Sequence, residues 1–149
     1  MEFPITKLLD YESSTNWILA HFHPKGLCCP VCQKSVVESR KFRRTEKSRL
    51  LVYRCYGCGT AYNLYTGTEF QGCHWTPMQI VLFLRGVCKG ETTLKLSAEL
   101  ELSYKTVLDM RHKIQANAEK AQPNTPLSDL HSETDEMFQN AGKKRSTTL

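Results

Sequence analysis

Apolar residues in the second half of the chain recur at the spacing of an α-helix. Four of them occupy positions i, i+3, i+4 and i+7, which places them on one core-facing side: Ile80, Phe83, Leu84 and Val87. Thr76 and Pro77 precede this stripe. A threonine there caps the helix, and a proline at the first helical position needs no backbone N–H. The pattern predicts a helix from Pro77 to near Lys89 and Gly90.

Two more helices are predicted further along. One begins at Thr92 or Thr93, and the next runs from Tyr104 to about Ala118 behind Ser103 as its N-cap. Their apolar positions are Leu94, Ala98 and Leu100 in the first and Val107, Met110 and Ile114 in the second. Two helices joined by a turn this short, the second capped by serine, form a helix-turn-helix.

The middle of the chain carries the pattern of short strands. Between residues 36 and 65, β-branched and aromatic residues lie between glycine turn signals. One strand is predicted to open at Val36 and Val37, the next covers 50–53 and the third covers 61–65. The predicted fold class is therefore α+β, with a small β unit followed by a three-helix unit.

Two pairs of cysteines belong to this β unit. Cys29 and Cys32 form one CxxC turn and Cys55 and Cys58 form another, with 22 residues between the pairs. Each turn aims two thiolates at one point, and two turns complete a tetrahedral shell for structural Zn²⁺. The spacing predicts a zinc ribbon over residues 26–72, in which the metal supplies much of the folding free energy.

The other cysteines have no partner at this spacing. Cys28 is an alternative ligand to Cys29, but it is one residue too far from Cys32 for the usual turn. Cys73 and Cys88 are expected to be small apolar residues. Three histidines are expected to be ordinary surface or packing residues: His21, His23 and His74.

Composition favours a reducing compartment. Seven cysteines are an odd number, and no signal-peptide pattern precedes them, so we expect reduced thiols in the cytoplasm. The longest apolar run, 78–84, is far shorter than the roughly 20 residues of a membrane helix. We therefore expect no membrane partner.

The whole chain has a formal net charge of +5, and its positive charge is concentrated in one segment. Eight basic residues fall between positions 34 and 54, namely Lys34, Arg40, Lys41, Arg43, Arg44, Lys47, Arg49 and Arg54. Such a cluster neutralises an anionic zinc centre, tracks a phosphate backbone, or does both, although an isolated basic run is ordinarily a solvated face. Arg40, Arg43 and Arg44 are the candidates for phosphate contacts.

The helix that begins at Tyr104 supplies a second set of candidates. In a helix-turn-helix, the second helix lies in the DNA major groove and its first residues meet the base edges. Lys105 and Thr106 are the candidates for groove contacts, and Lys113 for a phosphate contact. Tyr104 and His112 complete the set on the side away from the predicted core.

Several motifs occur in a fixed order. The two cysteine pairs are followed by Tyr-Thr-Gly-Thr-Glu-Phe at 65–70, Trp-Thr-Pro at 75–77, and the helical segments 94–100 and 103–107. In this order they resemble the N-terminal half of bacterial insertion-sequence transposases of the zinc-ribbon, ISXO-like DDE group, over about residues 20–140. Gln33 and Glu101 depart from the pattern, because the family often has glycine there, which accepts a positive φ at little cost.

The resemblance also implies a function. The zinc ribbon and helix-turn-helix would bind double-stranded DNA at transposon terminal inverted repeats. Asp135, in the segment 132–136, matches the first metal-binding carboxylate of the family's RNase H-like catalytic domain. Strand transfer needs two divalent ions held by several carboxylates. Because the sequence stops at Leu149, we expect no complete catalytic site, and Mg²⁺ only where a complete catalytic domain is present.

We therefore expect a truncated transposase that keeps its DNA-binding half. Its expected parts are an N-terminal segment 1–25, the zinc ribbon 26–72, the helix-turn-helix 74–121, and 122–149 as a linker and the flexible start of the catalytic domain. A full-length transposase is an expected competitor for the same DNA ends. Two alternatives stay open, namely the first part of a catalytic transposase completed by a downstream frame, and a small zinc-ribbon transcription regulator.

Overall fold

The computed structural model describes residues 10–122 and has the predicted α+β class. Over these residues the chain forms one small antiparallel sheet and four α-helices. In chain order they are α1 (Tyr11–Phe22), β1 (Ser39–Arg44), β2 (Leu51–Cys55), β3 (Ala61–Tyr62), α2 (Pro77–Cys88), α3 (Thr93–Glu99) and α4 (Tyr104–Ala121). Asp135 and the rest of the predicted tail lie outside the described residues.

The sheet has β2 at its centre and β1 and β3 at its edges. Arg40 of β1 pairs with Arg54 of β2, and the register between the two strands shifts between Lys41 and Arg43. A shift of this kind is a β-bulge, which redirects the side chains around it. The bulge therefore lies within the basic segment of β1.

Two predicted strands differ from the observed ones. A strand opening at Val36 and Val37 is wrong, because this segment is a single 3₁₀ turn, Val36–Glu38, and β1 begins only at Ser39. The predicted strand 61–65 is shorter, since it ends at Tyr62. Beyond it, the side chain of Asn63 accepts a hydrogen bond from the Tyr65 N–H at 2.9 Å and so forms a turn.

Helix α1 was not predicted from the sequence. Asp10 is its N-cap and accepts a hydrogen bond from the Ser13 N–H at 2.7 Å. Trp17 and Ile18 are buried on its inner side. The segment 10–22 therefore packs against the rest of the described structure and contributes to its core.

The apolar positions predicted for α3 are partly wrong. Leu94 is 69% exposed and Ala98 is also exposed, whereas Leu96, which lies against Gly86 of α2, is buried.

The helices after residue 76 begin at the residues that the sequence pattern predicts. Thr76 and Gln79 form a capping box at the start of α2, and Thr92 and Ser103 cap α3 and α4. Helix α4 continues three residues beyond the predicted end, to Ala121. None of the helices within residues 10–122 has the length and apolar character needed to span a bilayer.

One buried cluster joins elements from most of the described chain. It includes Ile18 of α1, Phe70 of the connecting segment, Ile80 of α2 and Val107 of α4, all with no exposed surface. A second, smaller cluster lies beneath the cysteine pairs and contains Leu27, Cys29, Cys55 and Tyr62. Residues from the predicted ribbon and from the predicted helical part thus share a core, while the boundary between 72 and 74 stays a prediction.

Candidate metal centre and basic surface

The four paired cysteines meet at one point. Their Sγ atoms all lie within 4.8 Å of one another, and the separations of Cys29 from Cys58 and of Cys32 from Cys55 are each 3.4 Å. In a tetrahedral zinc site with Zn–S bonds of about 2.3 Å, the sulfur atoms are about 3.8 Å apart. This value lies between the two separations of 3.4 Å and the upper limit of 4.8 Å, so the cluster has the size of a four-thiolate metal site.

The backbone around the two pairs repeats itself. Cys29 N donates to the Lys34 carbonyl at 2.8 Å, and Cys55 N donates to the Thr60 carbonyl at 3.0 Å. The N–H of the residue after each pair closes a second hydrogen bond, from Gln33 to Cys29 O and from Gly59 to Cys55 O, both at 3.0 Å. The chain therefore builds the same turn twice and presents two thiols from each copy.

The surroundings of the second pair favour thiolates. The Thr60 hydroxyl, 3.1 Å from the sulfur, is the main group that lowers the pKa of Cys58, to about 6. Backbone N–H groups, chiefly that of Cys58, lower the pKa of Cys55, and Gly57 N lies 3.3 Å from its sulfur. Hydrogen bonds to the charged form stabilise it. These donors are therefore placed for sulfur ligands that carry negative charge.

The pKa of Cys32 is shifted in the opposite direction. The Lys34 N–H lowers its pKa, but the neighbouring Cys55, burial and the other two sulfurs outweigh this and raise the pKa of Cys32 to about 12. Four thiolates this close repel one another, so a divalent ion is required to hold all of them deprotonated. The residues fit a metal ion, and a set of four sulfur donors is typical of a structural zinc site.

Cys28 is placed differently from its neighbour. Its main chain forms an isolated bridge with Ser35, and its Sγ is 3.7 Å from Gln33 Oε1. The cluster of potential ligands found among residues 10–122 contains Cys29 and not Cys28. Two of the histidines bind main-chain carbonyls, since His21 Nδ1 is 2.8 Å from Trp17 O and His23 Nε2 is 2.7 Å from Leu64 O. Both are therefore ordinary surface or packing residues, as expected.

The basic residues of β1 face solvent. Arg40, Arg43 and Arg44 are exposed, as is Lys41 between them. Arg44 also donates from Nη1 to the Arg49 carbonyl at 3.1 Å, which ties the strand to the end of the hairpin turn. The sheet thus presents a row of cations along one edge.

Helix α4 turns its predicted stripe inward. Val107 is fully buried, and Met110 and Ile114 pack against the main core. The five candidate contact residues on this helix are exposed, namely Tyr104, Lys105, Thr106, His112 and Lys113. Lys113 Nζ donates to the Glu69 carbonyl at 2.5 Å, so this ammonium also fastens α4 to the connecting segment.

Sequence reasoning missed Arg111. Its guanidinium donates to Thr93 Oγ1 at 2.9 Å and to the Glu91 carbonyl, so it fixes α4 against the start of α3. No spacing rule points to this contact, because it joins residues 18 and 20 positions apart through one long side chain. It links the two helices that flank the turn at Glu101.

Two grooves border His74, one beside the basic hairpin and the other beside α4. One, of about 480 Å³, is lined by Arg43, Arg44, Lys47 and His74 among others. The other, of about 310 Å³, is lined by His74, Thr106 and further residues of the segment 71–75 and of α4. His74 borders both grooves, so Arg43 and Arg44 of β1 and Thr106 of α4 line adjoining grooves that together form one continuous surface through His74.

Comparison of the chain with protein-family models, with curated proteins and with solved structures finds no match. The resemblance to insertion-sequence transposases therefore stays a prediction from the motifs.

Proposed function

We propose that this protein binds double-stranded DNA, with a zinc ion holding the four cysteines of a ribbon and with a helix-turn-helix formed by α3 and α4. Zinc would be structural, because four sulfur ligands fill a tetrahedral shell and leave no position for a reacting molecule. In this function Cys29, Cys32, Cys55 and Cys58 are the ligands. The metal fixes the base of the hairpin that carries the basic strand.

The observation that carries this proposal is the continuous surface through His74. Arg43 and Arg44 of β1 line the groove on one side of His74, and Thr106 of α4 lines the groove on the other side. DNA-binding proteins combine phosphate contacts, which position the duplex, with side chains that reach base edges from a helix in the major groove. In this arrangement Arg43 and Arg44 contact phosphates while Lys105 and Thr106 meet bases.

The proposed target is the end of a transposon. This step rests on the resemblance of the ordered motifs to the ISXO-like transposases. According to this resemblance, the described residues bind terminal inverted repeats, and a transposase of the same group binds the same DNA ends. A zinc-ribbon regulator would instead bind an operator near promoters, so footprinting across genomic DNA separates the two targets.

Salt-dependent DNA binding tests the proposal. Affinity for a duplex should fall steeply as salt rises, because bound cations release counterions from the phosphates. Arg43→Ala should weaken all duplexes alike, whereas Lys105→Ala should reduce the difference between target and random sequence. Lys25→Ala removes an exposed lysine from the turn after α1 and serves as the control.

Three results would contradict the proposed function. They are binding that does not respond to salt, a loss of affinity in the control equal to that in Arg43→Ala, and unchanged binding in both interface variants. Zinc content and far-UV circular dichroism of each variant establish that an effect on affinity does not come from unfolding.

A further inference from the structure

An exposed aromatic ring stands in the middle of the basic strand. Phe42 is 48% exposed although it lies within β1, between Lys41 and Arg43. The register shift that makes the bulge falls at this position. Bulges redirect side chains, so the irregularity turns a phenylalanine toward solvent among cations.

Arg54 covers part of this ring. Its guanidinium carbon lies 5.3 Å from the centre of the Phe42 ring, which is a cation–π arrangement. The same side chain donates from Nε to the Gly59 carbonyl at 3.1 Å. Arg54 is thereby fixed to the turn of the second cysteine pair and holds the ring in place.

Protection of a sheet edge explains only part of this arrangement. Lysine and arginine on an edge strand discourage pairing with another chain, and β1 is an edge. The Phe42 ring does not serve this purpose, because it places apolar surface on the edge where charge is protective. The exposed ring and the cations beside it together match a ligand that has both negative charge and a flat apolar face.

We propose that Phe42 is a stacking platform for an unpaired base of DNA. The inference rests on the proposed function, because it adds a mode of binding to the same basic surface. Single-stranded nucleic acid is held by cations along its backbone and by aromatic rings against which the bases stack. Phe42 supplies the ring, Arg54 supports it, and Arg40, Lys41 and Arg43 face the phosphates.

The test compares two single-stranded probes of equal length and charge. One is oligodeoxythymidylate, and the other is the same deoxyribose phosphate chain without bases. Phe42→Leu keeps an apolar side chain of similar size but removes the flat ring. It should weaken binding of oligodeoxythymidylate by roughly 5- to 150-fold, the range for loss of one stacked base, and leave binding of the abasic probe unchanged.

Phe42→Trp gives a direct optical signal. The natural tryptophans Trp17 and Trp75 are buried, at 7% and 4% exposed. An added exposed indole should keep tight binding, and its fluorescence should be quenched by oligodeoxythymidylate but not by the abasic probe. Tyr56→Trp places an indole at a position that is 71% exposed but lies outside β1, and it should show no quenching.

The outcomes separate the inference from the proposed function. Equal losses of both probes in Phe42→Leu, or no base-dependent quenching in Phe42→Trp, would overturn the stacking role. Wild-type binding of a duplex without binding of oligodeoxythymidylate would do the same, while the proposed function would stand. A protein that binds neither probe nor duplex would overturn both, and tighter binding of oligoribouridylate would overturn the choice of DNA as the partner.

Discussion

Gln33 and Gly59 occupy equivalent positions in the two cysteine turns. Each lies four residues after the first cysteine of its pair and donates its N–H to the carbonyl of that cysteine. Each also has a positive φ, 60° for Gln33 and 74° for Gly59. Glycine adopts this conformation freely, whereas other residues meet a clash between Cβ and the carbonyl oxygen.

Opposite effects are therefore expected from Gln33→Gly and Gly59→Ala. A left-handed residue other than glycine costs roughly 1–2 kcal/mol, and the added freedom of glycine in the unfolded chain takes back about 0.4–1 kcal/mol. Gln33→Gly should raise the free energy of unfolding of the zinc-loaded protein by about 0.5–1 kcal/mol, and Gly59→Ala should lower it by a similar amount.

Denaturant titration of the zinc-loaded protein measures both changes. Gln33→Ala is the matched control, since it removes the side-chain hydrogen bond from Gln33 Nε2 to the Pro30 carbonyl without relieving the φ. It should not be stabilising. A Gly59→Ala protein as stable as the wild type would contradict the equivalence, because a Cβ at Gly59 meets nothing within 4 Å and only the backbone can supply a cost.

The turn between α3 and α4 carries the same kind of strain. Glu101 has φ 55° and is exposed. Glu101→Gly should raise the free energy of unfolding by about 0.5–1 kcal/mol, while Glu101→Ala, which keeps the Cβ, should not. Thermal or denaturant unfolding of the Glu101→Gly and Glu101→Ala proteins measures both changes. Equal changes in the free energy of unfolding would show that the positive φ of Glu101 does not lower the stability.

Gly86 sets the distance between α2 and α3. A Cβ at this position would lie 2.2 Å from Leu96 Cδ2, far inside contact distance. Gly86→Ala should therefore destabilise the protein by about 1–3 kcal/mol through overpacking. In a Leu96→Ala background the clash is gone, and the same change should become neutral or stabilising because alanine favours a helix by up to about 1 kcal/mol over glycine.

The double-mutant cycle of Gly86→Ala and Leu96→Ala measures this coupling by denaturant unfolding. The two changes should combine to much less than the sum of their separate effects. Additive effects would mean that α2 and α3 do not approach each other as closely as the structure has them.

His74 offers a test of the continuous surface. His74→Glu puts a negative charge where the two grooves meet and should lower duplex affinity by about two- to fivefold at moderate salt. His21→Glu makes the same change in net charge on α1 and should leave affinity nearly unchanged. Salt titrations of both variants check this, and equal losses would mean that only the overall charge matters.

The sequence predicted those parts of the fold that have a local signal. Helices α2, α3 and α4 begin at capped positions, and α2 and α4 follow a clear apolar period. The four clustered cysteines carry the spacing of metal-binding turns. Strand β1 lacks such a signal. Its sequence, Ser-Arg-Lys-Phe-Arg-Arg, has no alternation of apolar and polar residues, and it is a strand because it pairs with β2.

Other features depend on contacts between distant residues. The surface through His74 arises because the segment 71–75 lies between the hairpin and α4, which no local pattern encodes. Helix α1 did have a signal, since Asp10 precedes Ser13 as a typical N-cap and Trp17 and Ile18 form a short apolar pair. Its apolar side was too narrow to be recognised as a helix.

The most direct test of the metal centre is the zinc content of the protein purified under reducing conditions, compared for Cys29→Ser and the adjacent Cys28→Ser. The wild type and Cys28→Ser should each contain one zinc ion per chain, and Cys29→Ser should lose it or hold it much more weakly. Wild-type protein without stoichiometric zinc, or equal loss of the metal in both variants, would contradict a centre built from Cys29, Cys32, Cys55 and Cys58.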